Sequence, residues 1–360
     1  MSIKVLIVDD SALMRALLTE IIDGAPDLDV VGAAPDPIAA REMIKALNPD
    51  VLTLDVEMPH MDGLDFLDRL MRLRPMPVIM ISSFTAAGSE VTLKALELGA
   101  VDYLAKPRAE NISMLQDYAE EIRDKIRAAS GARLKSTARA AVPPAPTLAQ
   151  PKGSFSPRLL SEKVIAIGAS TGGTEAIKEV LCSLPEEMPP IVMVQHMPDT
   201  FTPSFARRLD SLSKLTVIEA QGGERLQPGM AYLAPGHSHM RVRKSGGGFV
   251  LELSREEPVN RHRPAADVLF RSMAEQVRHN GMGVILTGMG KDGAQGLLAM
   301  RQAGAWNIGQ DQTSCVVYGM PREAAEIGAL DEVACLGDIS RRVVAKLSAL
   351  DKRAAGIWPG

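Results

Sequence analysis

Cysteine is scarce: Cys182, Cys315 and Cys335 are the only three in 360 residues. Their odd number, wide spacing and apolar surroundings exclude a disulfide framework and lead us to expect buried, reduced thiols. Positive charge is not in excess. With 40 Lys and Arg against 44 Asp and Glu, the formal net charge is -4, which argues against a chain whose main work is gripping nucleic-acid backbones. No apolar run reaches the roughly 18 residues of a membrane span. The opening "MSIKVLIVDD" runs from an apolar stretch into two aspartates, unlike the basic, apolar, then small-residue order of a secretory signal. A cytoplasmic chain with no transmembrane segment is expected. A Gly-Lys-Ser/Thr phosphate loop and a short tandem repeat are also lacking.

What is present is a repeating alternation of strand-length apolar runs with amphipathic stretches. In the first 107 residues the runs are Lys4 to Val8, Val30 to Ala33, Val51 to Leu54, Val78 to Ile81 and Val101 to Leu104. The stretches between them, such as "SALMRALLTEIID" and "PIAAREMIKAL", repeat apolar residues at three and four positions, and a fifth helix is expected over about Ile112 to Ala128. Strands apolar on both faces and separated by helices predict a five-stranded parallel doubly wound α/β sheet. A segment rich in Ala, Pro, Ser and basic residues follows, "ASGARLKSTARAAVPPAPTLAQPKGSFSPR", which reads as a flexible linker. The β-α rhythm then returns with runs at Val164 to Ile167, Ile191 to Val194, Val284 to Leu286 and near Trp306 to Ile308. Alternation on either side of Ser245 to Gly248 predicts a β-hairpin inserted in this second, Rossmann-like doubly wound domain. The expected division is a domain over 1–125, a linker over 126–160 and a second domain over 161–350.

Loops at the carboxyl ends of parallel strands converge on the ligand crevice. In the first domain those ends carry Asp9 and Asp10, Asp55, Ser82 and Lys106. Three carboxylates in one pocket repel one another unless a hard cation is present, and an oxygen-only site suits Mg2+. A carboxylate beside a metal and a lysine can attack a phosphoryl group. Any one of these aspartates could merely cap the next helix, but four chemically matched strand ends favour a site.

The stretches "VLIVDD", "LTLDVEMPHMDGLDFL", "VIMISS" and "DYLAKP" resemble the flavodoxin-like receiver domain of two-component response regulators. The resemblance implies that Asp55 is the phospho-acceptor, that Asp9, Asp10 and Asp55 hold Mg2+ with the backbone of Glu57, and that Lys106 and Ser82 meet the phosphoryl oxygens. Tyr103 stands where an aromatic residue is frequent, while Phe84 and small residues lie on the fourth-helix side.

In the second domain "VIAIGASTGG" ends a strand in Gly-x-Ser-x-Gly and runs at once into a helical pattern. Glycines there permit a tight turn, and N–H groups at a helix start suit either a phosphate or an oxyanion. Ser170 by itself therefore reads as nucleophile or as part of a phosphate cradle. A serine nucleophile needs a base, and the base needs orienting. "IVMVQHMP" places His196 just beyond the next strand, and "GVILTGMGKDG" places Asp292 in the loop after a third. Singly, His196 could be a polar strand end and Asp292 an N-cap; together the three strand ends supply the set for acyl transfer. The chain order Ser, His, Asp differs from the α/β-hydrolase, chymotrypsin and subtilisin orders, which marks a separate lineage.

The stretches "IGASTGG", "VQHMP", "YLAPGHSHM", "NRHRPAADVLF" and "LTGMGKDGAQGL" resemble the catalytic domain of chemotaxis protein-glutamate methylesterases. The resemblance implies that Ser170 attacks, His196 acts as general base and then acid, and Asp292 orients the imidazole. Thr171 and the Gly288 to Met289 loop would then bind the oxyanion. The implied substrates are methyl-accepting chemotaxis receptors, with glutamine deamidation as a second reaction, and the implied phosphodonor is a chemotaxis histidine kinase. The ester chemistry needs no cofactor. A receiver that covers the Ser170 crevice until Asp55 is phosphorylated is the expected form of control. Two competing readings fit less well: a DNA-binding regulator lacks its basic helix-turn-helix, and a nucleotide-binding module lacks the acidic residue about 20 positions on. His237 and His239 form a His-x-His without an evident third zinc ligand, and Arg261, His262 and Arg263 are expected near the site.

Overall fold

The computed structural model describes residues 2–58, 63–82, 85–106, 112–134 and 155–354. The chain divides into two compact units, Met1–Val142 and Pro143–Gly360.

The first unit alternates β1 (Ile3–Val8), α1 (Ala12–Asp23), β2 (Leu28–Ala34), α2 (Pro37–Leu47), β3 (Val51–Asp55), α3 (Gly63–Leu73), β4 (Val78–Ser82), α4 (Ala86–Glu97), β5 (Asp102–Ala105) and α5 (Ile112–Ser130). Its strands pair in parallel in the order β2-β1-β3-β4-β5, the flavodoxin-like arrangement. Residues such as Leu6, Ile7, Leu52, Leu54, Ile79 and Met80 are wholly buried, because helices cover both faces of the sheet. Side-chain caps start the helices: Ser11 Oγ accepts from Met14 N at 3.3 Å, and Asp36 Oδ1 accepts from Ile38 N and Ala39 N, each at 2.8 Å.

The segment expected as linker has structured ends. α5 continues to Ser130, because Ile122, Ile126 and Ala129 keep helical spacing and are all wholly buried. At the other end Ser156 caps α6 (Pro157–Glu162) and also bonds Asp351. The centre of that segment, like Phe84, lies outside the described residues.

The second unit continues with β6 (Val164–Ala169), α7 (Gly173–Ser183), β7 (Ile191–Gln195), α8 (Thr202–Leu212), β8 (Thr216–Glu219), β9 (Met230–Leu233), β10 (His239–Ser245), β11 (Gly248–Ser254), α9 (Ala266–Gln276), β12 (Gly281–Ile285), α10 (Ala294–Gln302), β13 (Trp306–Gln310), α11 (Met320–Glu326), β14 (Glu332–Ala334) and α12 (Leu336–Ala354). Seven strands form one sheet in the order β14-β13-β12-β6-β7-β9-β8, and every pairing is parallel. The chain winds from β6 outward through β7, then returns to the other side of β6 at β12. The gap between the carboxyl ends of β6 and β12 is thus the topological switch point, where parallel α/β sheets bind ligands. β10 and β11 form the inserted hairpin, pairing Ser245 with Gly248 across Gly246 and Gly247, both at positive φ. The hairpin is fastened to α9 by Val242 N donating to Ser272 Oγ at 2.9 Å.

The cysteines are all free, and only Cys315 is buried; Cys182 and Cys335 are exposed, against the expectation of three buried thiols. Cys182 lies near the exposed end of α7, its sulfur against Leu212 O at 3.5 Å. Partial burial raises the thiol pKa of both exposed cysteines, which disfavours the reactive thiolate. No helix among the described residues is long and apolar enough to cross a membrane.

Candidate functional site

In the first unit the ends of β1, β3 and β5 bring Asp9, Asp10, Asp55 and Lys106 together. Ligand oxygens of the three aspartates lie within 4.8 Å of one another. Asp55 is wholly buried, with Oδ2 accepting from Lys106 Nζ at 2.8 Å and Oδ1 from Glu57 N at 3.2 Å. Burial raises the Asp55 pKa to about 6; Lys106 opposes this, and the charge of Asp9 adds to it. Asp9 Oδ2 is buried without a hydrogen bond, and Lys106 Nζ stands 3.4 Å away. An oxygen-only set with one buried carboxylate oxygen lacking a donor fits a hard divalent cation. Ser82 is buried at the end of β4, where its hydroxyl donates to Gly88 O at 3.3 Å.

In the second unit three strand ends converge. Ser170 follows β6 and is fixed by its backbone: its N–H donates to Thr287 O at 3.0 Å, and its carbonyl accepts from Gly173 N at 2.7 Å and Gln195 Nε2 at 2.9 Å. The turn needs glycine on two grounds. Gly172 has φ +75°, and a Cβ there would lie 2.7 Å from Val316 Cβ. Across the switch point, a Cβ on Gly288 would lie 2.8 Å from Ser170 Cβ, so this glycine lets the loop after β12 close onto the serine.

His196 follows β7, and its N–H donates to Ala169 O at 3.1 Å, the residue before the serine. Its Nε2 lies 2.8 Å from Asp292 Oδ2, with the two side chains 7% and 1% exposed. His196 Nδ1 is buried and has no hydrogen-bond partner. Because Asp292 accepts at Nε2, that nitrogen carries the proton in the neutral ring and Nδ1 holds the lone pair. Asp292 also accepts from Ala266 N at 2.6 Å, Asp267 N at 3.1 Å and Asn260 Nδ2 at 2.8 Å. Burial alone would raise its pKa, but the bond and charge of His196, with the bonds from Asn260 and Ala266, hold it down to about 2. The first N–H groups of α9 therefore point at a carboxylate, as a helix N-terminus favours.

The oxyanion candidates differ among themselves. The N–H of Gly288 donates to Val317 O at 3.1 Å, so this residue cannot offer it to a substrate; its part is the close approach to Ser170. Met289 N has no acceptor among the described residues. Thr171 is buried, and its carbonyl accepts from Thr287 Oγ1 at 2.9 Å.

Several residues beside the pair lie in the family-like stretches but had no role assigned from sequence: Asn260, Asp267, Gln195 and Thr287. Asn260 sits in a short loop closed by the paired Val259 and His262, and its amide bridges Asp292 to Asp267 Oδ2 at 2.9 Å. Of the "NRHRP" residues, His262 reaches the site, its ring stacked on that of His196 at 3.7 Å. Arg263 turns away to the carbonyls of Arg255 and Glu256. The His-x-His has a structural use: both ring nitrogens of His239 meet backbone groups, Glu257 O at 3.1 Å and Ala265 N at 3.2 Å. Among the described residues the aspartate trio of the first unit is the only cluster suited to a metal.

Residues 165–343 match the CheB methylesterase family, and residues 5–116 match the response regulator receiver domain. A protein-glutamate methylesterase/protein-glutamine glutaminase of Dechloromonas aromatica is 61% identical over 96% of this chain and 99% of its own. The chain belongs to the CheB methylesterase family. Another member, from Nitrosomonas europaea and bearing the same enzyme name, is 59% identical over 99% of both chains. The crystal structure of the Thermotoga maritima CheB methylesterase catalytic domain aligns with TM-score 0.51 and 41% identity, covering 52% of this chain and 99% of that one. A CheB methylesterase with a receiver domain ahead of it thus accounts for nearly the whole sequence, and for both strand-end clusters.

Proposed function

We propose that this CheB methylesterase is a phosphorylation-activated, cytoplasmic hydrolase of glutamate methyl esters on methyl-accepting chemotaxis receptors, and that it also deamidates receptor glutamines. The observation that carries the reading is the buried His196–Asp292 pair beside Ser170, with His196 Nδ1 unpartnered. Ser170 Oγ attacks the ester carbonyl carbon while His196 Nδ1 takes its proton, and Asp292 stabilises the imidazolium through Nε2–H. The carbonyl oxygen gains negative charge and is met by N–H groups of the Thr171 turn and Met289. As the carbonyl re-forms, the bond between the acyl carbon and the methoxy oxygen breaks and His196 gives that oxygen the proton, so methanol leaves and a glutamyl ester of Ser170 remains. Water then attacks that ester with His196 again as base; the bond from the acyl carbon to Ser170 Oγ breaks, His196 returns the proton to Oγ, and the receptor leaves with its glutamate carboxylate restored. With a glutamine side chain the leaving group is ammonia, and the acyl-enzyme is the same.

The first unit supplies the control. Asp55 attacks the phosphorus of a phosphorylated kinase histidine; the P–N bond breaks and the kinase imidazole leaves, giving an acyl phosphate whose oxygens meet Lys106 and Ser82. When Mg2+ is bound by Asp9, Asp10 and Asp55, it supplies positive charge that offsets the crowded carboxylates and the phosphoryl oxygens.

Methanol release from methylated receptor is the direct test. Ser170→Ala should lower turnover by on the order of 10⁶ while leaving phosphate incorporation at Asp55 intact. Asp55→Asn should abolish incorporation and leave basal hydrolysis. Retained turnover in Ser170→Ala would reject the serine mechanism.

A further inference from the structure

The catalytic imidazole has a second support besides Asp292. The His262 ring lies parallel to that of His196, with centroids 3.7 Å apart and planes 13° apart. His262 Nδ1 lies 2.6 Å from the backbone carbonyl of Asn260. A carbonyl only accepts, so Nδ1 carries a proton and the ring orientation is set. The same Asn260 donates through Nδ2 to Asp292 Oδ1 at 2.8 Å and to Asp267 Oδ2 at 2.9 Å. One residue therefore holds both neighbours of His196: the carboxylate at its edge, through the side chain, and the ring on its face, through the backbone. Its φ of 53° is left-handed, a conformation that asparagine tolerates better than most residues. Asp267 is itself anchored by Gly296 N at 2.7 Å, which ties the bridge to the start of α10.

We propose that Asn260 and His262 are positioning residues for hydrolysis, Asn260 fixing the Asp292 carboxylate and His262 holding the plane of the His196 ring. Neither needs to touch substrate. An imidazole free to rotate about its Cβ–Cγ bond loses proton-transfer geometry, which lowers turnover more than binding. The titratable groups facing Asn260 and His262 are His196, Asp292 and Asp267, with Arg271 acting on Asp267 from within α9.

The inference rests on the triad reading, and the tests separate the two. On the full-length chain, kcat and KM for methanol release are measured against pH for four variants, with melting temperature as the check on folding. His262→Ala should lower kcat at least about tenfold with KM unchanged, and His262→Phe, which keeps a flat ring, should restore most of the loss. Asn260→Gly keeps the left-handed backbone and the carbonyl that holds His262 but removes the amide, and should also lower kcat. Asn260→Asp adds a negative charge beside Asp292 that favours the His196 imidazolium, so the acidic limb of kcat/KM should move to higher pH. If kcat stays within twofold of the parent in His262→Ala and Asn260→Gly, or if only KM changes, the positioning role is overturned. An unmoved limb in Asn260→Asp overturns the Asn260 part even where the others fall. If Ser170→Ala itself keeps its turnover, the triad reading fails first; an inactive Ser170→Ala beside unaltered positioning variants leaves the triad standing.

Discussion

At the scale of single residues, Asp292 shows how one side chain couples stability to chemistry. Four donors converge on a carboxylate that is 1% exposed, and removing a partner from such a site costs more than a surface bond would. Its pKa is held at about 2 against an ordinary 3.8. A depressed carboxylate stabilises the fold fully above its unfolded pKa and loses that contribution as pH falls through the folded value, here between about pH 5 and 2. The shift corresponds to about 2 kcal/mol. Urea unfolding of Asp292→Asn should accordingly lose about 2 kcal/mol less than the parent over that range. If both chains lose stability in parallel, the carboxylate is not the linked group. The same substitution presents an amide to donors that need an acceptor, and should lower kcat by on the order of 10⁴.

At the scale of elements, the turn between β6 and α7 makes a steric and conformational demand that glycine meets. An alanine at position 172 would take φ +75° and meet Val316, so Gly172→Ala should destabilise the chain by about 1 to 2 kcal/mol. Because Ser170 sits in the same turn, methanol release should fall at temperatures where the variant is still fully folded by circular dichroism. Full activity in a folded Gly172→Ala chain would mean that the turn adapts without moving the serine. Elements of this kind were legible beforehand: central strands such as Val164–Ala169 are continuous apolar runs, and the three strand-end residues announce themselves by type. β8, β9 and β14 were not, for they are three or four residues long, too short to show a period. The role of Asn260 was hidden for a different reason, although the residue lies in a family-like stretch. Its importance arises because the chain reverses at left-handed Asn260 and Arg261 and closes the Val259–His262 pair, and no local pattern says which distant carboxylate such a loop will meet. Gly288 shows the converse. The resemblance implied an oxyanion-binding loop over Gly288 and Met289, but which N–H of that loop is free depends on a partner 29 positions on, Val317.

At the scale of the whole molecule, each unit has its own buried apolar residues, its own parallel sheet and its own strand-end cluster. Neither sheet borrows a strand from the other, so each should fold alone. The Thermotoga maritima catalytic domain, whose whole length aligns with half of this chain, supports this for the second unit. Independence of folding makes the proposed control by phosphorylation a question of rate, testable on the separate hydrolytic unit. If the receiver restrains the esterase, residues 143–360 alone should release methanol faster than the unphosphorylated full chain, and a small phosphodonor with Mg2+ should raise the full chain toward the rate of the fragment. The Asp55→Asn chain should ignore the phosphodonor and stay at the basal rate. A fragment no faster than the untreated chain would reject restraint; a response to phosphodonor would then have to come from activation, in which the phosphorylated receiver adds something the isolated unit lacks. The two cases are separated by a single comparison, since restraint makes the fragment the upper bound on the phosphorylated rate and activation makes it the lower one.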